Sequence, residues 1–148
     1  MTEQNNDRPD RPDLVGHTRH TELSLDEIAE MQPGLGRIMP EVSDRYWILY
    51  YAAKGGNWAL AAHELNELGG LLRLGITTRP KYKDHLDSFI NSHMVALRKA
   101  IDANDWPAFE RAYQKGVEGS NAYHRDLGHG EIEWILPEDP PKHLRLSP

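Results

Sequence analysis

The stretch YKDHLDSFINSHMVALRKAI, residues 82–101, decides the fold class of this chain. Its apolar side chains recur at steps of three and four residues, so an α-helix would gather them into one stripe that faces a core. The stripe consists of Tyr82, Leu86, Phe89, Ile90, Met94, Leu97 and Ile101. The pattern therefore predicts an amphipathic helix that begins after Pro80.

Another helix is predicted nearer the N-terminus, from about Leu35 or Pro40 to Ala53. It is rich in apolar and aromatic residues, which supply the mass of a buried face. Gly55-Gly56 follows it, and glycine is common where a helix stops.

The helix after that glycine pair opens at Asn57, a residue type that caps helix N-termini well. Leucines recur along it at helical spacing. We expect Gly69-Gly70 to interrupt it, since each glycine costs about 1 kcal/mol against alanine inside a helix. Gly75 is predicted to end it.

A fourth long helix is predicted from near Asn104, with Pro107 in its first turn, to about His124. Gly128 and Gly130 close it. Short connections favour antiparallel neighbours, so the expected fold is all-α, an antiparallel four-helix bundle.

The remaining segments flank this bundle. Residues 1–22 are polar and predict a disordered tail, and residues 23–136 form the predicted bundle domain. Ser24 and Glu27 have the spacing of a capping box at the start of a short helix. Residues 137–148 are rich in proline, which predicts an extended arm lying over the bundle.

The net charge and the absence of cysteine exclude several classes of protein. The 148 residues carry a formal net charge of −6 and no cysteine. The charge argues against nucleic acid as a partner, and the lack of thiols excludes disulfides and thioether-bound haem. No apolar run is long enough for a membrane span or a signal peptide, so we expect a cytoplasmic protein.

A homodimer is plausible for a bundle of this size, but no residue identifies a pairing face.

Two short motifs suggest chemistry, each with a simpler interpretation. His63 and Glu67 lie one helical turn apart and could share a ligand, although a surface pair is the commoner arrangement. Ser120 lies one turn before His124, which could bring hydroxyl and imidazole together. A nucleophilic serine there would need an oxyanion hole, and amides within a helix are already bonded.

The stretch PGLGRIMPEVSDRYWILYYAAKGGNWALAAHELNELGGLLRL, residues 33–74, resembles the opening helices of a family of small bacterial haem c proteins. That family shows a Pro-Gly-Leu-Gly-x-x-Met opening, an Arg-His pair and an Asn-Trp turn. It closes with C-x-x-C-H at the end of its last helix. The resemblance covers roughly residues 33–136, and it implies a helical bundle.

Departures from the family pattern change the implied function. Ser120 and Tyr123 stand at the two cysteine positions, so haem cannot be attached covalently. Tyr46 stands where the family has histidine after arginine. Met39 and the iron-ligand histidine, His124, remain. The resemblance therefore implies that the scaffold is retained and the haem function is lost, with no cofactor or metal expected.

Three functions follow as hypotheses. The first is a small-molecule pocket near the end of the last helix, for binding or simple acid/base chemistry. His124 would be its acid or base, with Tyr46 or Tyr123 as hydrogen-bond donor. The residues expected to line it are Met39, Trp47, Tyr50, Glu64 and Ser120. The second is a non-enzymatic accessory or interaction protein, and the third is a non-covalent haem binder that uses His124.

Overall fold

The computed structural model describes residues 14–148, which divide into two units. The first ends at Gln32 and the second runs from Pro33 to Pro148. The boundary lies ten residues later than the predicted end of the tail at residue 22. Residues 1–13 of that predicted tail lie outside the described part.

The first unit contains a small antiparallel sheet that the sequence did not predict. Strands β1 (Val15–His17) and β2 (Glu22–Ser24) pair with Gly16 opposite Leu23. Helix α1 (Leu25–Glu30) follows directly. Its predicted capping box is confirmed, because the Ser24 hydroxyl accepts from the Glu27 amide while the Glu27 carboxylate accepts from the Ser24 amide.

The second unit is helical up to residue 126. Its long segments are α2 (Leu35–Lys54), α3 (Trp58–Thr78) and α6 (Trp106–Asp126). Between α3 and α6 lie a 3₁₀ turn (Pro80–Tyr82), α4 (Lys83–Ser88), a π-helical segment (Phe89–Met94) and α5 (Val95–Asp102). The all-α prediction is thus confirmed for this unit.

Several predicted boundaries are confirmed and two are wrong. Asn57 caps α3 by accepting from the Leu60 amide. Helix α3 passes through Gly69-Gly70 without a break and continues beyond Gly75 to Thr78. Both Gly69 and Gly75 are buried, so tertiary packing outweighs the low helix propensity of glycine there.

The core of the second unit is one continuous apolar cluster. Helix α2 packs against α3, and α6 packs against α2, α5 and the π-helical segment. Phe109, Leu49, Leu65, Leu68 and Leu97 are the largest fully buried side chains. Within residues 14–148, no helix combines the length and apolarity that a membrane span requires.

Residues 127–148, which we call the C-terminal arm, contain no helix or strand and contact α2. The Trp47 indole donates to the Asp139 carbonyl at 3.0 Å, and the Tyr51 hydroxyl bonds to the carbonyls of Pro137 and Glu138. Farther along, Asn57 donates to the Arg145 carbonyl. The C-terminal arm is therefore held chiefly through its own backbone carbonyls.

Candidate functional site

Tyr46 lies in the core between α2 and α6, stacked on Tyr113. The ring centroids are 4.1 Å apart and the ring planes differ by 9°. The Tyr46 hydroxyl donates to the Tyr113 carbonyl at 2.9 Å, and the Tyr113 hydroxyl donates to the Tyr46 carbonyl at 2.6 Å. Gly116 leaves room for the Tyr46 hydroxyl, because a Cβ at that position would overlap it.

Burial raises the pKa of the Tyr46 hydroxyl well above its usual range. For Tyr113, burial is again the main cause of a raised pKa, and the neighbouring Tyr46 adds to it. Both hydroxyls are thus protonated at neutral pH and already donate to a carbonyl. Tyr46, a predicted catalytic donor, acts in this structure as a packing residue that joins α2 to α6.

Two more predicted pocket residues lie on α2 near the C-terminal arm. The Trp47 indole N–H donates its hydrogen bond to the Asp139 carbonyl in the C-terminal arm, as described above. Tyr50 is half-buried, with its hydroxyl 3.4 Å from the Glu110 carboxylate and its ring edge-on to Trp106 at 5.4 Å. Burial and the nearby Glu110 raise the pKa of Tyr50. These side chains bind α2 to the arm and to the start of α6.

Glu64, also a predicted pocket residue, is the buried partner of a partly buried ion pair. Its side chain is 6% exposed, and its carboxylate lies 3.1 Å from the Arg45 guanidinium. Arg45 also binds Glu41 one turn earlier on α2, at 2.9 Å. A buried carboxylate is costly unless it is paired, and here Arg45 supplies that pairing.

Met39, the remaining predicted pocket residue on α2, is half-buried and packs against the core.

Tyr123, in contrast, lies among polar groups contributed by other segments. Its hydroxyl is 2.8 Å from the Ser88 hydroxyl at the end of α4. The imidazoles of His85 and His93 flank its ring, with centroids at 5.4 and 6.4 Å. We call Ser88, His85, His93 and Tyr123 the Tyr123 cluster. The cluster brings two hydroxyls and two imidazoles together near the end of α6.

His93 reaches this cluster because of two local features. It lies in the π-helical segment, and such segments are frequent at functional sites. Its ring also lies directly over Gly119, where a Cβ would overlap it. Burial lowers the pKa of His93, which favours the neutral imidazole.

His124 is half-buried near the turn that follows α6. Its Nδ1 is buried and lacks a hydrogen-bond partner among the described residues. Burial lowers its pKa, while the backbone of Ile132 opposes that shift. The Ser120 hydroxyl donates to the Val117 carbonyl at 3.0 Å, so it is bonded back onto its own helix.

The sequence predicts Tyr123 as a site residue but does not predict its partners. His85 and His93 are eight residues apart, which on a continuous α-helix separates them by about 80° around the axis. The π-type turn between them changes that angle, and no simple sequence pattern marks a π-type turn.

Comparison with known proteins adds no homologue. No family model, curated protein or solved structure matches this chain. Among residues 14–148, no group of three or more histidine, cysteine or acidic side chains could hold a metal ion. The geometry of the Tyr123 cluster is therefore the basis on which a function can be proposed.

Proposed function

We propose that this chain is a haem-free, cytochrome-like helical bundle that binds a small molecule at the Tyr123 cluster. The observation that carries the proposal is the meeting of Tyr123, Ser88, His85 and His93 at a π-helical segment. A site of this kind suits binding or simple proton transfer.

The proposed bundle is antiparallel, with α2, α3, the α4–α5 segment and α6 as its four members. The connection from α2 to α3 is only residues 55–57, and that from α5 to α6 is residues 103–105. Connections this short favour antiparallel neighbours, and the joined helices pack on each other.

The chemistry of the cluster supports recognition of a polar ligand. A neutral imidazole offers one donor and one acceptor, and a hydroxyl can act as either. The lowered pKa of His93, caused by burial, keeps its ring nitrogens available in that neutral form. The Tyr123–Ser88 bond leaves one hydroxyl proton free to donate to a ligand. The cluster can therefore satisfy both donors and acceptors on a bound molecule.

The alternative functions have weaker support. An interaction through the C-terminal arm would have to compete with the bonds that Trp47 and Tyr51 make to it. A histidine that binds a metal usually donates its other ring N–H to a protein acceptor, and the His124 Nδ1 has no partner among the described residues, so haem ligation by His124 would lack that support. The cytoplasmic location and the homodimer stay predictions.

A fragment screen by thermal shift, followed by amide NMR, tests the proposal. We expect fragments that raise the melting temperature of the native chain to shift the resonances of His85 and His93. The effect should be lost in Tyr123→Phe, which removes only the hydroxyl, and weakened in His93→Gln.

Tyr82→Phe is the matched control, because its hydroxyl has no partner within the described part of the chain and it lies outside the cluster. It should respond to fragments as the native chain does. If no stabilising fragment shifts the resonances of the cluster, the proposal is refuted. A Soret band after haemin addition that His124→Ala abolishes would favour the haem alternative instead.

A further inference from the structure

A shallow groove lies between α3 and the segment that joins the π-helix to α5, and none of its lining residues belongs to the Tyr123 cluster. Its volume is about 190 Å³, smaller than sites for drug-sized ligands. Its apolar lining comes from Leu65, Ile90, Met94 and Val95. Val95 is 58% exposed, so part of this apolar surface faces solvent.

Two arginines, Arg73 and Arg98, line the same groove. Among the described residues, neither has a carboxylate within ion-pair distance, although the chain as a whole is acidic. Arg98 donates instead to two neutral acceptors, the Asn66 side chain and the Ala62 carbonyl. These bonds fix its position without compensating its charge.

The guanidinium of Arg73 lies over Gly69, within 3.4 Å of where a Cβ would stand. Arg98 binds the same helix at Ala62 and Asn66. With a rise of 1.5 Å per residue, Gly69 lies about 4.5 Å from Asn66 and about 10.5 Å from Ala62 along α3, so the two guanidinium groups lie roughly 5 to 10 Å apart along the helix axis. Two uncompensated cations at that spacing, beside apolar side chains, favour a ligand with an anionic head.

We propose that this groove binds a small monocarboxylate with an apolar body, its carboxylate between Arg73 and Arg98 and its chain against Met94 and Val95. Arginine pairs well with carboxylates because its planar fork can donate two parallel hydrogen bonds. The apolar lining of the groove favours anions with a hydrocarbon part over anions without one, because only the former can bury apolar surface there. The inference is independent of the Tyr123 cluster, since the two sites share no residue.

Amide NMR titration of the full chain with hexanoate tests this proposal. We expect shifts at groove residues, with hexanamide and inorganic phosphate each binding at least about tenfold more weakly. Arg73→Gln should raise the Kd for hexanoate by about tenfold, as expected when one charged hydrogen-bond donor is lost. Val95→Glu should abolish binding by adding a negative charge on an exposed side chain.

Arg111→Gln serves as the control, because it removes an exposed arginine on α6 outside the groove. It should leave the Kd unchanged. Equal binding of hexanoate and hexanamide would overturn the role of the arginines. Equal binding of phosphate would reduce the groove to an unspecific anion site, and an absence of groove shifts at millimolar hexanoate would overturn the proposal as a whole.

Discussion

Tyr46 and Tyr113 exchange hydroxyl-to-carbonyl hydrogen bonds across the packed faces of α2 and α6, although 67 residues separate them in the chain. Their rings are stacked at the same time, and Phe89 and Trp134 contact the Tyr46 ring edge-on. A buried hydroxyl is costly unless it is bonded, and this exchange satisfies both. The pair therefore joins the packed faces of α2 and α6.

Removing either hydroxyl should destabilise the protein. We expect Tyr46→Phe and Tyr113→Phe each to lower the free energy of unfolding by about 0.5–1.5 kcal/mol, the usual net value of one buried hydrogen bond. Urea unfolding of the single and double variants would measure the two losses and their coupling. Tyr82→Phe, at a half-buried position outside the pair, should leave stability nearly unchanged. Native stability in both single variants would contradict this assignment.

Gly116 allows the Tyr46 hydroxyl to approach α6, so Gly116→Ala should destabilise the protein. Overpacking in a well-packed core typically costs about 1–3 kcal/mol, which exceeds the gain in helix propensity. Gly70→Ala is the matched control, since a Cβ there meets nothing within 4 Å. It should stabilise the helix by up to about 1 kcal/mol. Thermal unfolding of both variants checks the opposite signs, and equal signs would refute the packing argument.

These positions show how far the fold could be predicted. The apolar stripe of residues 82–101 and the Asn57 cap identify helices because their signals are local. The continuity of α3 through Gly69 and Gly75 could not be predicted, because packing against other helices decides it. The β1–β2 pairing could not be predicted either, because two three-residue strands carry no clear alternation of apolar and polar residues.

The ion pair of Glu64 with Arg45 gives a third prediction. Glu64→Ala should destabilise the protein by about 2–3 kcal/mol, because it removes a buried partner and leaves a partly buried arginine. Arg45 keeps Glu41 as a second partner, which limits the loss. Glu41→Ala removes an exposed carboxylate and should cost less than about 1 kcal/mol. Denaturant unfolding would compare them, and equal losses would contradict a special role for the buried carboxylate.

Stability should fall as the pH drops below about 6.5. Burial lowers the folded-state pKa of both His93 and His124 from that ordinary value. The unfolded chain then binds more protons than the folded chain, so their contribution is complete above pH 6.5 and is lost towards the lowered pKa values. Urea unfolding at several pH values would measure the slope, and His93→Gln should reduce it. A slope of opposite sign would contradict the burial of these imidazoles.

The candidate site could be predicted only in part. The predicted resemblance to a haem c family singles out Tyr123, and its side chain contacts Ser88, His85 and His93. Its partners His85 and His93 depend on a π-helical turn that no local sequence signal marks. Tyr46 shows the opposite case, because its residue type suits a site while its burial makes it a core residue.

Asn121 binds the C-terminal arm to α6 through two hydrogen bonds, and replacing it with alanine should detach this part of the arm from the helix. Its side-chain amide donates to the Trp134 carbonyl at 3.1 Å, and its side-chain oxygen accepts from the Trp134 amide at 2.8 Å. Asn121→Ala should cost about 1–3 kcal/mol, because the variant leaves backbone groups of the arm without partners. Hydrogen exchange at the Trp134 amide should accelerate more than exchange in α3, since the bond is local to the arm. Asn91→Ala, at an exposed position, should change neither quantity. Unaltered protection of Trp134 in Asn121→Ala would show that other contacts, such as the bond from the Trp134 indole to Ser43, suffice to hold the arm.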